Sequence, residues 1–168
     1  QVKVKNGFGP MHWQGSNPGK TRFSYFLGND PGSWVSGLHA QGTISAQDVW
    51  EGIACRFFSF KAAMKYEFVV DPGANPKHIQ LEFEGAESVY LEEGRLNFET
   101  TLGTVSEESP IAYQLNEKGD TNFIACRFTL SGKRLGFELG SYDKSRTLIV
   151  DPFLVFGSFS GSTTDNWG

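Results

Sequence analysis

The sequence predicts an all-β domain, an antiparallel β-sandwich-like fold with many hairpins and little or no helix. Three observations carry that expectation. Short apolar–polar alternation recurs along the chain. Glycine-bearing turns separate the alternating segments. No stretch sustains the 3.6-residue period of an amphipathic helix over three turns. At ordinary strand lengths the pattern amounts to about ten to twelve strands.

The elements follow in order. Gln1-Val2-Lys3-Val4-Lys5 alternates like a strand. Asn17-Pro18-Gly19, Asp30-Pro31-Gly32 and Asp71-Pro72-Gly73 each place Pro before Gly, the order that suits the central positions of a type II turn. "SAQDVWEG" is the best short helical segment, with Ser45 as cap, Asp48 three residues on and Gly52 as the stop. In "AMKYEFVVDPG", Met64, Tyr66, Phe68 and Val70 share one face, and Lys65 and Glu67 the other. In "HIQLEFEG", Ile79, Leu81 and Phe83 point inward, and Gln80, Glu82 and Glu84 outward. Glu93-Gly94, Leu102-Gly103 and Ser131-Gly132 supply the positive φ that tight hairpins need. "TLIVDPFLVFGSFSG" is apolar from Leu148 to Phe159 and predicts a strand, a bend at Pro152, and a second strand buried on both faces. One domain over 1–160 is expected, and the small polar 161–168 is expected to begin a linker or a following module.

Composition narrows the function classes. In 168 residues, fifteen Phe, four Trp and five Tyr supply enough aromatic area to close a core without a metal or a disulfide framework. The net charge is −4 and the basic residues are scattered, which argues against a nucleic-acid partner. No apolar run approaches the ~20 residues of a membrane-spanning helix, and no signal-peptide pattern opens the chain. That start suits a cytosolic protein or a piece of a longer one.

No motif assembles a catalytic set. "GSNPGKT" imitates a phosphate-binding loop but is one residue short, and Pro18 has no N–H to give. His12, His39 and His78 lie outside any metal-ligand spacing. No Gly-x-Ser-x-Gly elbow exists. The acids of "EFEG", "YLEEG" and "SEES" fit solvated strand faces; Glu67, Glu82 and Glu84 are the ones a glycan-processing enzyme would use. Gly28–Asp30 and Thr163–Asn166 offer oxygens to calcium without the acid-rich spacing of a loop site. Calcium stays open, and no other cofactor is expected. Trp13, Trp34, Trp50 and Trp167 lie in or beside turn-like segments. If Trp13, Trp34 and Trp50 shared an exposed face, they would form a glycan-stacking platform; otherwise they plug the ends of the sandwich.

The order of phrases closely resembles a β-rich domain near the start of large secreted bacterial surface proteins, ahead of SBBP-type, β-propeller-related repeats. Carrying the likeness are Gly28-Asn29-Asp30-Pro31 with Trp34, Gly52-Ile53, Tyr66-Glu67-Phe68-Val69-Val70 and Pro72-Gly73-Ala74-Asn75-Pro76. Phe83-Glu84-Gly85-Ala86, Tyr142-Asp143-Lys144 and Leu148-Ile149-Val150-Asp151-Pro152 continue it, so it spans about Pro18 to Gly168. The resemblance implies an extracellular, surface-attached setting, type IX secretion and gliding-adhesin-like relatives, with other domains of the same chain as partners. It brings no catalytic residues. The expected role is a non-catalytic structural or adhesion module, with a carbohydrate-binding module using exposed aromatics as the alternative; glycans or proteins at the surface are the outside partners.

One feature departs from that family's wording. "IACRF" occurs twice, at Ile53–Phe57 and Ile124–Phe128, and holds both cysteines. The flanks of the two copies differ, so the repeat is one strand pattern written twice rather than a duplicated unit. Ile, Cys and Phe fall on one face, Ala and Arg on the other. An oxidising setting permits a Cys55–Cys126 disulfide, which would contribute about 4 kcal/mol in the chain-entropy account. Two buried free thiols fit the pattern equally.

Overall fold

The computed structural model of the chain describes residues 1–60, 63–101 and 103–154. The expected linker at 161–168, Trp167, the apolar run beyond Leu154, and Leu102 of one expected turn lie outside the described residues. Among the described residues thirteen strands form, every pairing is antiparallel, and the only helical pieces are single 3-10 turns at Pro31–Ser33 and Pro76–His78. The all-β class read from the sequence is the observed one.

The strands lie in two sheets. The smaller runs β1 (Val2–Val4), β6 (Leu81–Phe83), β12 (Arg134–Leu139) and β11 (Cys126–Ser131). The larger starts with β2 (Trp13–Tyr25), β3 (Val35–Trp50), β4 (Ile53–Phe60) and β5 (Ala63–Val70). It continues through β13 (Leu148–Leu154), β9 (Gly103–Leu115), β8 (Arg95–Thr100) and β7 (Ser88–Glu92), with β10 (Thr121–Ile124) also paired to β9. Aromatic rings join the inner faces. Phe68 of β5 meets Phe137 of β12 at 5.9 Å, and Phe83 of β6 meets Phe98 of β8 at 4.5 Å, both within the range of favourable ring pairs.

Alternation placed most of this core. Phe68, Val70, Ile79, Leu81 and Phe83 are all buried, as their inward positions require. The turn chemistry holds at Asp71-Pro72-Gly73, where Gly73 has φ +80° and the Ala74 N–H donates to the Asp71 carbonyl at 3.0 Å. Glu93 and Gly94 both have positive φ, as a type I′ hairpin needs.

Elsewhere tertiary contacts override local signals. "SAQDVWEG" is strand rather than helix. Val49 and Trp50 are drawn into the core as the end of β3, and Asp48 takes φ +48° where the pairing with β4 shifts register. Asn17-Pro18-Gly19 is not a turn but part of β2. That strand edges its sheet, where a proline's missing N–H costs little. Asp30-Pro31-Gly32 is a 3-10 turn, because the Asp30 carboxylate caps it by accepting from the Gly32 N–H at 2.9 Å. Pro152 does not end β13; it sits inward in a bulge between Asp151 and Phe153.

The outward face of β5 is also less solvated than its charges suggest. Glu67 is buried and paired with Arg56 of β4, while Lys65 bonds Asp151 of β13 at 2.6 Å. The two copies of "IACRF" part company here. The first lies wholly in β4, whereas the second turns the corner between sheets: Ile124 ends β10, Ala125 is the bend, and Cys126 begins β11. In both copies the Arg faces a glutamate and the Phe an aromatic ring across the strand pair. Arg56 stands opposite Glu67 and Phe57 opposite Tyr66; Arg127 stands opposite Glu138 and Phe128 opposite Phe137.

Candidate functional site

Two features stand out from the packed sandwich. The first is the β2–β3 hairpin. Every residue of β2 is exposed, and β3 is largely exposed until Ala46 enters the core. The pairs Phe23–Leu38 and Tyr25–Val35 carry apolar side chains along this arm to its tip. There Phe26 and Trp34 meet edge to face at 5.6 Å, and the Trp34 Nε1–H donates to the Gly28 carbonyl at 3.2 Å. Local chemistry fixes the tip: Asp30 caps the 3-10 turn that sets Trp34 opposite Phe26. Phe26 remains 64% exposed, so the ring pair is presented rather than buried.

The second feature is a half-open cavity of about 300 Å³ between the sheets, lined almost wholly by apolar side chains. Met11, Trp13 and Met64 form its partly exposed rim, and Phe57, Leu81 and Phe83 its walls. One carboxylate faces it: Glu107 of β9, only 1% exposed. The Tyr66 hydroxyl donates to Glu107 Oε1 at 2.7 Å. Burial pushes the Glu107 carboxyl up to about 7, against the opposing pull of the Tyr66 hydrogen bond. Burial, reinforced by the neighbouring Glu107 charge, holds the Tyr66 phenol well above its ordinary value.

Trp13, Trp34 and Trp50 share no exposed face, so they form no single platform. Trp50 is 1% exposed and wedged against Phe68, with its Nε1–H donating to the Lys5 carbonyl at 2.8 Å, so it is a core residue. Trp13 stacks at a tilt on Phe57 beside the cavity, and Trp34 lies at the hairpin tip. The cysteines form no bridge: both are free thiols. Cys55 packs opposite Phe68 on one sheet and Cys126 opposite Leu139 on the other. Burial pushes each up to about 12, which suppresses the thiolate that disulfide exchange requires.

Glu82 and Glu84 engage Lys5, Arg134 and Lys3 in surface ion pairs, and Lys3 holds the Glu84 carboxyl below its ordinary value. Glu67 is turned to Arg56 on the far face from the cavity. Asp30 spends its carboxylate on the Gly32 N–H and the Ser33 hydroxyl. Among the described residues no three His, Cys, Asp or Glu side chains gather as a metal site. Sequence reasoning missed Glu107, taking the "SEES" acids as solvated. The available signal was its phase, since Val105 and Glu107 share a face of β9 while Glu108 turns out to Arg95. It also missed Gln114, which is buried and ties down the loop before β13 by donating to the carbonyls of Asp143 and Arg146.

A family described as a domain of unknown function (DUF7948) matches residues 1–153. No curated protein and no solved structure matches the chain.

Proposed function

The chain belongs to the DUF7948 family of domains of unknown function, and we propose that it acts as a non-catalytic adhesion and structural module of a large secreted cell-surface protein. The exposed apolar arm of β2 and β3 carries this reading. Monomeric domains rarely present large contiguous apolar patches unless something docks there. Here Phe23, Tyr25, Phe26, Trp34, Val35 and Leu38 stay exposed on a hairpin braced by its own turn chemistry. Aromatic rings with few rotatable bonds suit such a contact, because ordering them costs little entropy. The phrase-level likeness to domains preceding SBBP-type repeats supports an extracellular, type IX-secreted setting, with neighbouring domains of the same chain as the first partners. Among the described residues no helix is long and apolar enough to cross a membrane.

Deleting the domain from the full-length protein is expected to abolish adhesion of producing cells to a surface, measured as the fraction retained under flow. Unchanged retention contradicts the reading. Trp13 and Trp34, each with a half-exposed ring, support carbohydrate binding as the second reading. On a glycan array the domain would then give signals that Trp34→Ala or Trp13→Ala removes, and flat binding throughout sinks it.

A further inference from the structure

We infer that the space between the sheets is a binding site for a small amphiphile, a linear and mainly aliphatic molecule whose single hydroxyl end meets Glu107. Well-packed interiors leave few voids larger than a water molecule. This space of about 300 Å³ is roughly twice the ~150 Å³ apolar cavity that accepts benzene, so it has room for about eight to twelve heavy atoms. Its apolar walls select against ligands with many polar groups. A sugar would leave most of its hydroxyls without partners and lose several kcal/mol. Any carbohydrate binding therefore belongs to the exposed rings and not to this cavity.

The polar end is set by Glu107. One oxygen is held by Tyr66, which fixes the side chain, and the carboxyl lines the cavity. An alcohol can donate to this carboxyl when it is ionised and accept from it when it is protonated. A carboxylate ligand would instead set a second negative charge against Glu107 in an apolar wall. The half-exposed Met11, Trp13 and Met64 mark the entrance, and flexible methionines suit a mouth that must part for an alkyl chain.

Met11 and Met64 are the chain's two methionines, so methyl-labelled methionine reports on this mouth alone. The test is an NMR titration of the labelled full chain with 1-octanol. Both methyl resonances are expected to move along one saturating curve. Glu107→Leu, which keeps the apolar shape, should weaken 1-octanol about tenfold, the equivalent of one hydrogen bond, while Glu107→Gln stays within about threefold. Octanoate at pH 8 needs no variant: its affinity should fall at least about tenfold below that of 1-octanol. Shifts that rise linearly without saturating overturn the proposal. So does octanoate binding as tightly as the alcohol, or a folded Glu107→Leu protein that binds 1-octanol as the wild type does.

Discussion

Trp50→Ala is expected to destabilise the domain by about 4 kcal/mol, within the usual range for losing a buried Trp. The residue lies at the junction of β3 and β4, 1% exposed, with its ring 5.8 Å from Phe68. Its Nε1–H also anchors the Lys5 carbonyl, so truncation opens a cavity and frees the chain that follows β1. Domains are stable by only about 5–15 kcal/mol, so the variant should unfold at a clearly lower denaturant midpoint with an unchanged slope. Trp34→Ala, at the exposed hairpin tip, should stay within about 0.5 kcal/mol of wild type. Equal costs for the two substitutions would show that the core assignment is wrong.

Stability is expected to fall by about 3 kcal/mol as pH rises from 4.5 to 7, and to level off above that. The sign follows from Glu107. In the unfolded chain its carboxyl loses its proton near the ordinary value of 4.5, whereas in the fold it keeps the proton up to about 7. Through that window the folded state binds the extra proton, so each rise in pH favours unfolding. Tyr66 and Cys55 flank the cavity side, and both are neutral in this range. Arg56, Lys65, Glu67 and Asp151 lie across the sheet as ion pairs. Burial raises Glu67 as well, which adds a slope of the same sign. The depressed Glu84 and Asp143 carboxyls titrate below the window. Denaturant midpoints at pH 4.5, 6 and 8 should therefore decline for wild type and flatten for Glu107→Gln. A wild-type profile as flat as the variant's would remove Glu107 from the account.

How much of this was legible depends on whether local and tertiary signals agreed. "YEFVV" and "IQLEF" alternate cleanly and pack where alternation puts them. The turns at Glu93-Gly94 and Pro72-Gly73 need a positive φ that glycine adopts most readily, so those turns were readable too. The β2–β3 arm was not. Its strands carry Pro18 and several glycines, and their pairing comes from the partner strand rather than from propensity. Trp50 looked like a turn residue because Gly52 follows it closely, yet burial of its ring outweighs that neighbourhood. Glu107 was hidden for the opposite reason. A charge in an alternating strand ordinarily faces water, and only the third dimension shows Tyr66 and an apolar cavity around it. The second "IACRF" reads as continuous strand, while its backbone bends at Ala125, where the Gly140 N–H closes on the Ala125 carbonyl at 2.8 Å.

If the apolar hairpin tip is the adhesive contact of a non-catalytic module, Phe23→Ser, Phe26→Ser and Trp34→Ser combined in the full-length protein should remove that contact. Adhesion under flow is measured alongside the melting temperature of the isolated chain. The triple variant should retain at least about tenfold fewer cells, with a melting temperature within about 2 °C of wild type, since exposed substitutions cost little stability. Full adhesion by a folded triple variant would contradict it.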